Sequence, residues 1–336
     1  MKIATFGLEN WQKEKLEKIF GEKNITSFKS SIKQSHLKKI ENVDVLIIFI
    51  YSQIDKKIIE KLPKLKLICT MSTGYDHIDI ECAKERKIKV CNVPIYGENT
   101  VAEHTLALIL ALSRKIYPSI ERTHENLNFE TDKSLRGFDL KDKILGVVGG
   151  GNIGQHVVKM AKALEMNVLV FDLNKDKKLE KKFGFKYVTM ANLLKQSDII
   201  TLHVPYNTHT HHLINKNAID KMKDGVYLIN TARGGIIDTN ALIKGLKSKK
   251  VAGAGLDVLE GECDILEESS VLSDEFKKSC VLKIILQDHM LMKMDNVIVT
   301  PHNAFNSNEA LSRILETTIE NIKAYKISKL KNVVNR

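Results

Sequence analysis

An arginine, a glutamate and a histidine each stand shortly after an apolar run that reads as a β-strand. Arg233 lies in Leu228-Ile229-Asn230-Thr231-Ala232-Arg233-Gly234-Gly235, and Asp257 and Glu262 lie in Gly255-Leu256-Asp257-Val258-Leu259-Glu260-Gly261-Glu262. His302 lies in Val299-Thr300-Pro301-His302-Asn303-Ala304-Phe305. The carboxyl ends of parallel strands are where α/β proteins form ligand sites. There a guanidinium can bind a carboxylate, a glutamate can hold an imidazole, and the imidazole can move a proton. Glu260, two residues from Glu262, competes for the role of imidazole partner.

A second constellation is glycine-rich. The strand-like run Ile144-Leu145-Gly146-Val147-Val148 leads into Gly149-Gly150-Gly151-Asn152-Ile153-Gly154, a helical stretch follows from Gln155 to Leu164, and a second strand-like run ends in Asp172. A lone G-x-G-x-x-G is weak evidence, but strand, turn, helix, strand and acid in this order form the dinucleotide fingerprint. Gly149 permits the tight turn, Gly151 lets backbone approach a pyrophosphate, and Gly154 lets helix and strand pack closely. The helix amino end offers unpaired N–H groups to phosphate. Asp172 would accept hydrogen bonds from the adenosine ribose and repel a 2′-phosphate, favouring NAD over NADP, although Lys175 and Lys177 nearby weaken that preference.

Positioning these groups takes two series of alternating strands and helices. Lys2–Phe6, Asn24–Phe28, Val43–Ile50, Leu65–Thr70 and Ile88–Val93 read as strands, separated by helical stretches such as Trp11–Phe20, Lys56–Leu62 and Ile80–Lys87. A long helix is expected from about Asn99 to Arg114, after the turn at Pro94-Ile95-Tyr96-Gly97. The second series comprises Ile144–Val148, Asn167–Phe171, Asp198–His203, Gly225–Asn230, Val251–Leu256 and Asn296–Val299, and a helix over about Ser307–Lys326 follows. Strands joined by helical crossovers form parallel sheets covered on both faces, so two doubly wound α/β domains are predicted.

The chain has 336 residues, 43% hydrophobic and 28% charged, with a net charge of +11. Lysine supplies nearly all the excess, in scattered solvated clusters such as Lys175-Asp176-Lys177-Lys178, without an arginine–aromatic stripe, which argues against nucleic acid as a partner. Cys69, Cys82, Cys91, Cys263 and Cys280 show no metal-binding spacing, so no metal site is expected. No apolar run is long enough to cross a bilayer and no leader is visible, so the expected compartment is the cytoplasm, with free thiols. His211, His212 and His289 read as surface or core residues, His104 as structural, and Cys263 as a bystander.

Taken together the motifs resemble the D-isomer-specific 2-hydroxyacid dehydrogenase family over essentially the whole length. The matching segments are Val93-Pro94 through Asn99-Thr100-Val101-Ala102-Glu103-His104, the glycine turn with Asp172, His203-Val204-Pro205, Asn230-Thr231-Ala232-Arg233-Gly234, Leu256-Asp257-Val258 with Glu262, and Pro301-His302. The resemblance implies a discontinuous, flavodoxin-like substrate domain (1–98 and 303–336), a Rossmann-type NAD domain (99–302) and a homodimer. It implies that Arg233 binds the substrate carboxylate, that His302 is the general acid and base, and that Glu262 holds the imidazole and favours its charged form. The spacing from Arg233 to Glu262 favours Glu262 over Glu260 by the same resemblance. Thr73 and Gly74 would bind the substrate carboxylate through backbone amides, and Tyr96 and Phe305 would contact its side chain. Asn152, Ile153, His203, Val204, Pro205, Thr210, Thr231, Ala232 and Asp257 would line the NAD cofactor alongside the glycines.

Forty residues separate Glu262 from His302. The stretch 265–295 resembles the longer connection of D-lactate and D-2-hydroxyisocaproate dehydrogenases, so pyruvate and D-lactate are the expected pair. Two features depart from the pattern: Phe305-Asn306-Ser307 replaces the paired aromatics and threonine usual in D-lactate dehydrogenases, and Gly150 replaces a small polar residue. Glyoxylate, hydroxypyruvate or branched 2-oxo acids are the alternative substrates, and a non-enzymatic NAD-sensing, partner-binding protein is the alternative class.

Overall fold

The computed structural model describes residues 1–262 and 280–335, so Cys263 and the first part of the long connection lie outside it. The chain divides into two compact units, one formed by 1–97 and 307–336, the other by 98–306. The return to the first unit comes at 306/307 rather than at 302/303, because the Asp257 carboxylate holds the amides of Asn303 and Ala304 in the second unit.

The first unit is a five-stranded sheet in the order β2-β1-β3-β4-β5. Its strands are β1 (Ile3–Phe6), β2 (Ile25–Phe28), β3 (Val45–Ile48), β4 (Leu67–Thr70) and β5 (Lys89–Cys91), all paired in parallel. The connecting helices are α1 (Asn10–Phe20), α2 (Gln34–Ile40), α3 (Lys56–Glu60) and α4 (Ile80–Glu85). β1, β3 and β4 are buried along their whole length, as expected for strands covered on both faces. Asp55 and Asp79 start α3 and α4 by accepting the amides of Ile58 and Cys82.

The chain end covers the edge of β5. Val333 bridges Cys91 in antiparallel fashion, while the Asn335 side chain accepts from the Val90 amide and donates to the Ile88 carbonyl, at 2.9 and 2.7 Å. A side-chain amide here stands in for a peptide group, so the edge is not left unpaired.

The second unit opens with α5 (Glu98–Ser113) and α6 (Ile116–His124), then carries a seven-stranded parallel sheet in the order β12-β11-β10-β9-β6-β7-β8. The strands are β6 (Ile144–Val148), β7 (Asn167–Phe171), β8 (Lys186–Tyr187), β9 (Ile199–Leu202), β10 (Val226–Asn230), β11 (Val251–Leu256) and β12 (Val297–Val299). The helices between them are α7 (Asn152–Ala163), α8 (Lys177–Phe183), α9 (Met190–Gln196), α10 (Lys216–Asp220), α11 (Thr239–Lys247) and α12 (Cys280–Met292). The order reverses at β6, whose neighbours are β7 on one side and β9 on the other. Such a switch point opens a crevice at the carboxyl ends of the strands. α5 is buried on several faces, with Val101, Ala102, Leu106, Leu108, Ile109 and Leu112 packed away from water.

Candidate active site

The glycine turn sits at that switch point. Gly149 has φ +100, and a Cβ there would stand 2.6 Å from the His203 carbonyl oxygen, so only glycine fits. A Cβ on Gly154 would stand 2.1 Å from the Gly149 carbonyl oxygen, which shows how closely α7 packs on the turn. A Cβ on Gly151 would meet nothing within 4 Å. Open space therefore lies over the amino end of α7, where the first-turn amides have no helical acceptor. That open side suits a pyrophosphate, and the residues fit a dinucleotide.

Asp172 ends β7 beside this space. Its Oδ2 accepts the Gly150 amide at 2.7 Å and its Oδ1 the Asn174 amide at 2.8 Å, which fixes the carboxylate and leaves lone pairs for ribose hydroxyls. A Cβ on Gly150 would stand 3.0 Å from Val170 Cγ1, so the unusual glycine relieves crowding against β7. Val204 packs against Gly149 from the β9 side. Thr210 is a loop staple, donating to the Pro205 carbonyl at 2.6 Å. Burial pushes the His203 imidazole down to about 3; its Nε2 meets Thr201 Oγ1 at 2.9 Å, and its Nδ1 has no partner among the described residues. Thr231 is buried against Thr105, 2.9 Å between hydroxyls.

Arg233 follows β10 in extended backbone and is half-buried. Asn230 holds this segment from both directions, accepting from the Ala232 amide at 3.0 Å and donating to the Arg233 carbonyl at 2.8 Å. Its place in the Asn-Thr-Ala-Arg-Gly run marks Asn230 in the sequence, but only the fold shows it as a clamp.

The imidazole partner is decided by geometry. His302 Nδ1 lies 2.8 Å from Glu262 Oε1, and Glu262 Oε2 accepts the Leu259 amide at 3.3 Å. A carboxylate only accepts, so Nδ1 donates, and Nε2 is the nitrogen that can exchange a proton with a substrate. Glu260 turns the other way, to His212 Nε2 at 2.7 Å and to Thr239 Oγ1 at 2.7 Å. His302 holds a left-handed backbone, φ +48, fixed by amide bonds to the Asp257 and Thr300 carbonyls. The Phe305 ring stands edge-on to the imidazole, centroids 6.4 Å apart.

Asp257 is almost fully buried and accepts from Thr300 Oγ1 and from the Asn303 and Ala304 amides. Burial pushes its carboxyl up, but bonds from His104, Thr300 and those amides outweigh this and hold it below the ordinary value. The loop that presents His302 is thus built on Asp257. Thr300 and His104, whose Nε2 is 3.0 Å from Thr300 Oγ1, belong to the same scaffold.

In the first unit, Thr73 and Gly74 lie on the loop after β4. Thr73 donates to the Val93 carbonyl, its own carbonyl accepts from Asn92 Nδ2, and Ser72 donates to the Gly74 carbonyl. The Tyr96 carbonyl accepts from Arg313 Nε. Asn92 and Arg313 were not marked by any sequence motif.

Residues 106–304 match the family model described as D-isomer specific 2-hydroxyacid dehydrogenase, NAD binding domain. The chain belongs to the D-isomer specific 2-hydroxyacid dehydrogenase family. It is 35% identical over 342 residues to a 2-hydroxyacid dehydrogenase homolog of Haemophilus influenzae, covering 99% of each chain. It is 36% identical to a glyoxylate reductase of Thermococcus litoralis, covering 89% of this chain and 86% of that one. The crystal structure of D-lactate dehydrogenase from Aquifex aeolicus, complexed with NAD and lactic acid, superposes with a TM-score of 0.89 at 35% identity, covering 100% of this chain and 99% of that one. The chain is an NAD-dependent D-2-hydroxyacid dehydrogenase, and its second unit carries the NAD-binding domain. Among the described residues no helix is long and apolar enough to cross a membrane.

Proposed function

We propose that the protein interconverts pyruvate and D-lactate. The observation that carries the chemistry is the 2.8 Å contact between His302 Nδ1 and Glu262 Oε1, which leaves Nε2 to serve the substrate oxygen. Bound NADH supplies the hydride. His302 gives a proton to the carbonyl oxygen in reduction and takes it back in oxidation. Glu262 stabilises the imidazolium and fixes its ring, while Arg233 pairs with the substrate carboxylate and polarises the carbonyl. Asp172 discriminates NADH from NADPH, and Gly149, Gly151, Asn152, Ile153 and Gly154 hold the pyrophosphate. His203, Val204, Pro205, Thr210, Thr231, Ala232 and Asp257 are assigned to the cofactor side. For Asp257 that contact runs through the His302 loop, because its carboxylate oxygens serve Thr300, Asn303 and Ala304. Thr73, Gly74 and Tyr96 are assigned to the substrate by their match to the family. Phe305, edge-on to His302, offers an apolar surface suited to a methyl group.

Glyoxylate is the second reading, favoured by the 36% identity to the Thermococcus litoralis glyoxylate reductase. A panel of 2-oxo acids with NADH separates the two. Pyruvate should give the highest kcat/KM, and a clear preference for glyoxylate would reverse the assignment.

We further propose a cytoplasmic homodimer. In and after α6, Ile116, Tyr117 and Ile120 are about half exposed, while Leu127 and Phe129 are 88% and 96% exposed. An apolar strip of this kind in one segment suits a second copy of the chain.

A further inference from the structure

Glu260-Gly261-Glu262 is a turn with three anchors. Glu260 is held by His212 and Thr239, and Glu262 by His302 and Leu259. The middle residue has no side chain, and its amide donates to Asp288 Oδ2 at 3.0 Å. Asp288 lies on α12, 27 residues further along the chain, and is fully buried. A Cβ on Gly261 would stand 3.0 Å from Asp288 Oδ2 and 3.0 Å from Ile284 Cγ2, so the turn lies directly on this helix. Asp288 Oδ1 is buried with no hydrogen-bond partner among the described residues.

We propose that Asp288 is a positioning residue, whose carboxyl group holds the 260–262 turn by the Gly261 amide and thereby aims Glu262 at His302. Nothing in the reaction needs Asp288 to touch substrate or cofactor. Its polar group is nevertheless buried at a site where an apolar side chain would avoid desolvation. The groups facing it explain its protonation. Burial raises its carboxyl, the Gly261 amide lowers it, and Glu260 and Glu262 raise it again, to about 7 in all. No cation is among those causes; Lys244 and Lys247 of α11, which packs on α12, point to solvent. A neutral Asp288 can hold the turn without adding a third negative charge beside two glutamates.

This inference rests on the Glu262–His302 reading above, and three variants test it. Asp288→Leu fills the buried space but removes the acceptor. Gly261→Ala pushes the turn off the carboxyl. Asp288→Asn keeps an acceptor oxygen. We read two quantities in each: the pH profile of kcat for pyruvate reduction with NADH, and the pH titration of the His302 ring resonances by NMR, assigned by their loss in His302→Asn. With Glu262 no longer aimed, Asp288→Leu and Gly261→Ala should move the alkaline fall in kcat down by about one pH unit, a tenfold loss at a pH on that limb, with KM for NADH little changed. The His302 resonance should move in the same direction, and Asp288→Asn should restore the larger part of both. A His302 titration in Asp288→Leu that superposes on wild type overturns the proposal, as does an Asp288→Asn variant displaced as far as Asp288→Leu. The resonance is read without substrate. A protein that reduces no 2-oxo acid therefore defeats the proposed reaction, while Asp288 is still judged by the NMR titration.

Discussion

Asp288 links stability to pH with a definite sign. In the folded chain burial, then Glu260 and Glu262, raise its carboxyl from 3.8 to about 7. The folded state therefore binds a proton that the unfolded state has released between these values. Stability contributed by this group is present below about pH 4, falls as pH rises, and is fully lost above about pH 7. At 1.36 kcal/mol per pH unit the loss amounts to about 4 kcal/mol. Asp288 is fully buried, so solvent screening takes little from this figure. Asp288→Asn has no such proton and should escape the loss. Relative to wild type, the variant should gain about 4 kcal/mol between pH 4 and pH 8, equivalent to roughly 10 °C in the unfolding midpoint for a unit of this size. Differential scanning calorimetry of both proteins at the two pH values reads it. His203, held down to about 3 by burial, adds acid lability of its own, but it is common to both proteins and cancels in the difference. A wild-type-to-variant difference that stays constant with pH would refute the reasoning.

Three further outcomes follow from the site. Glu262→Gln keeps the shape but not the charge beside His302, so pyruvate reduction should fail at lower pH, by roughly one to three units on the pH profile of kcat; an unchanged profile would mean that Glu262 is misassigned. Asp172→Ser removes an acceptor and a repulsive charge. Its kcat/KM with NADH should fall on the order of tenfold while that with NADPH rises, and equal rates with both cofactors in the wild type would contradict the role given to Asp172. Phe129→Glu places a charge on the exposed strip, and light scattering should show a shift from dimer towards monomer; a wild type that is monomeric at micromolar concentration would remove the dimer reading.

Much of the fold was legible because the signals were local. The run Ile144–Val148 ending in three glycines fixes its strand, and β7 and β11 begin and end where the apolar runs do. α2 escaped notice because its seven residues bury only Leu37 and Ile40, too few to show a helical period. β8 escaped because two edge residues, Lys186 and Tyr187, carry no alternation. The chain end was invisible for another reason: Asn335 pairs with Ile88 and Val90, about 245 residues earlier, and nothing in Asn332-Val333-Val334-Asn335 announces an edge.

The site divides in the same way. Arg233, Glu262 and His302 were readable as strand-end residues with reactive groups. The preference for Glu262 over Glu260 came from the family resemblance alone, since the residues themselves, two apart, offer the same carboxylate. The turn decides it by sending one carboxylate to His302 and the other to His212. Asp288 lay hidden in an apolar helix, where a single acid reads as a solvent-facing position. Only its contact with Gly261, distant in the chain, gives it meaning.

The central claim is that His302, Glu262 and Arg233 form a hydride-transfer site for a small 2-oxo acid. The most direct measurement follows loss of NADH at a fixed pH near neutrality with pyruvate, glyoxylate, hydroxypyruvate and branched 2-oxo acids, beside the His302→Asn variant. Turnover that is highest with pyruvate, yields D-lactate and collapses in His302→Asn is the predicted result. No turnover with any 2-oxo acid, or turnover that survives loss of His302, would contradict it.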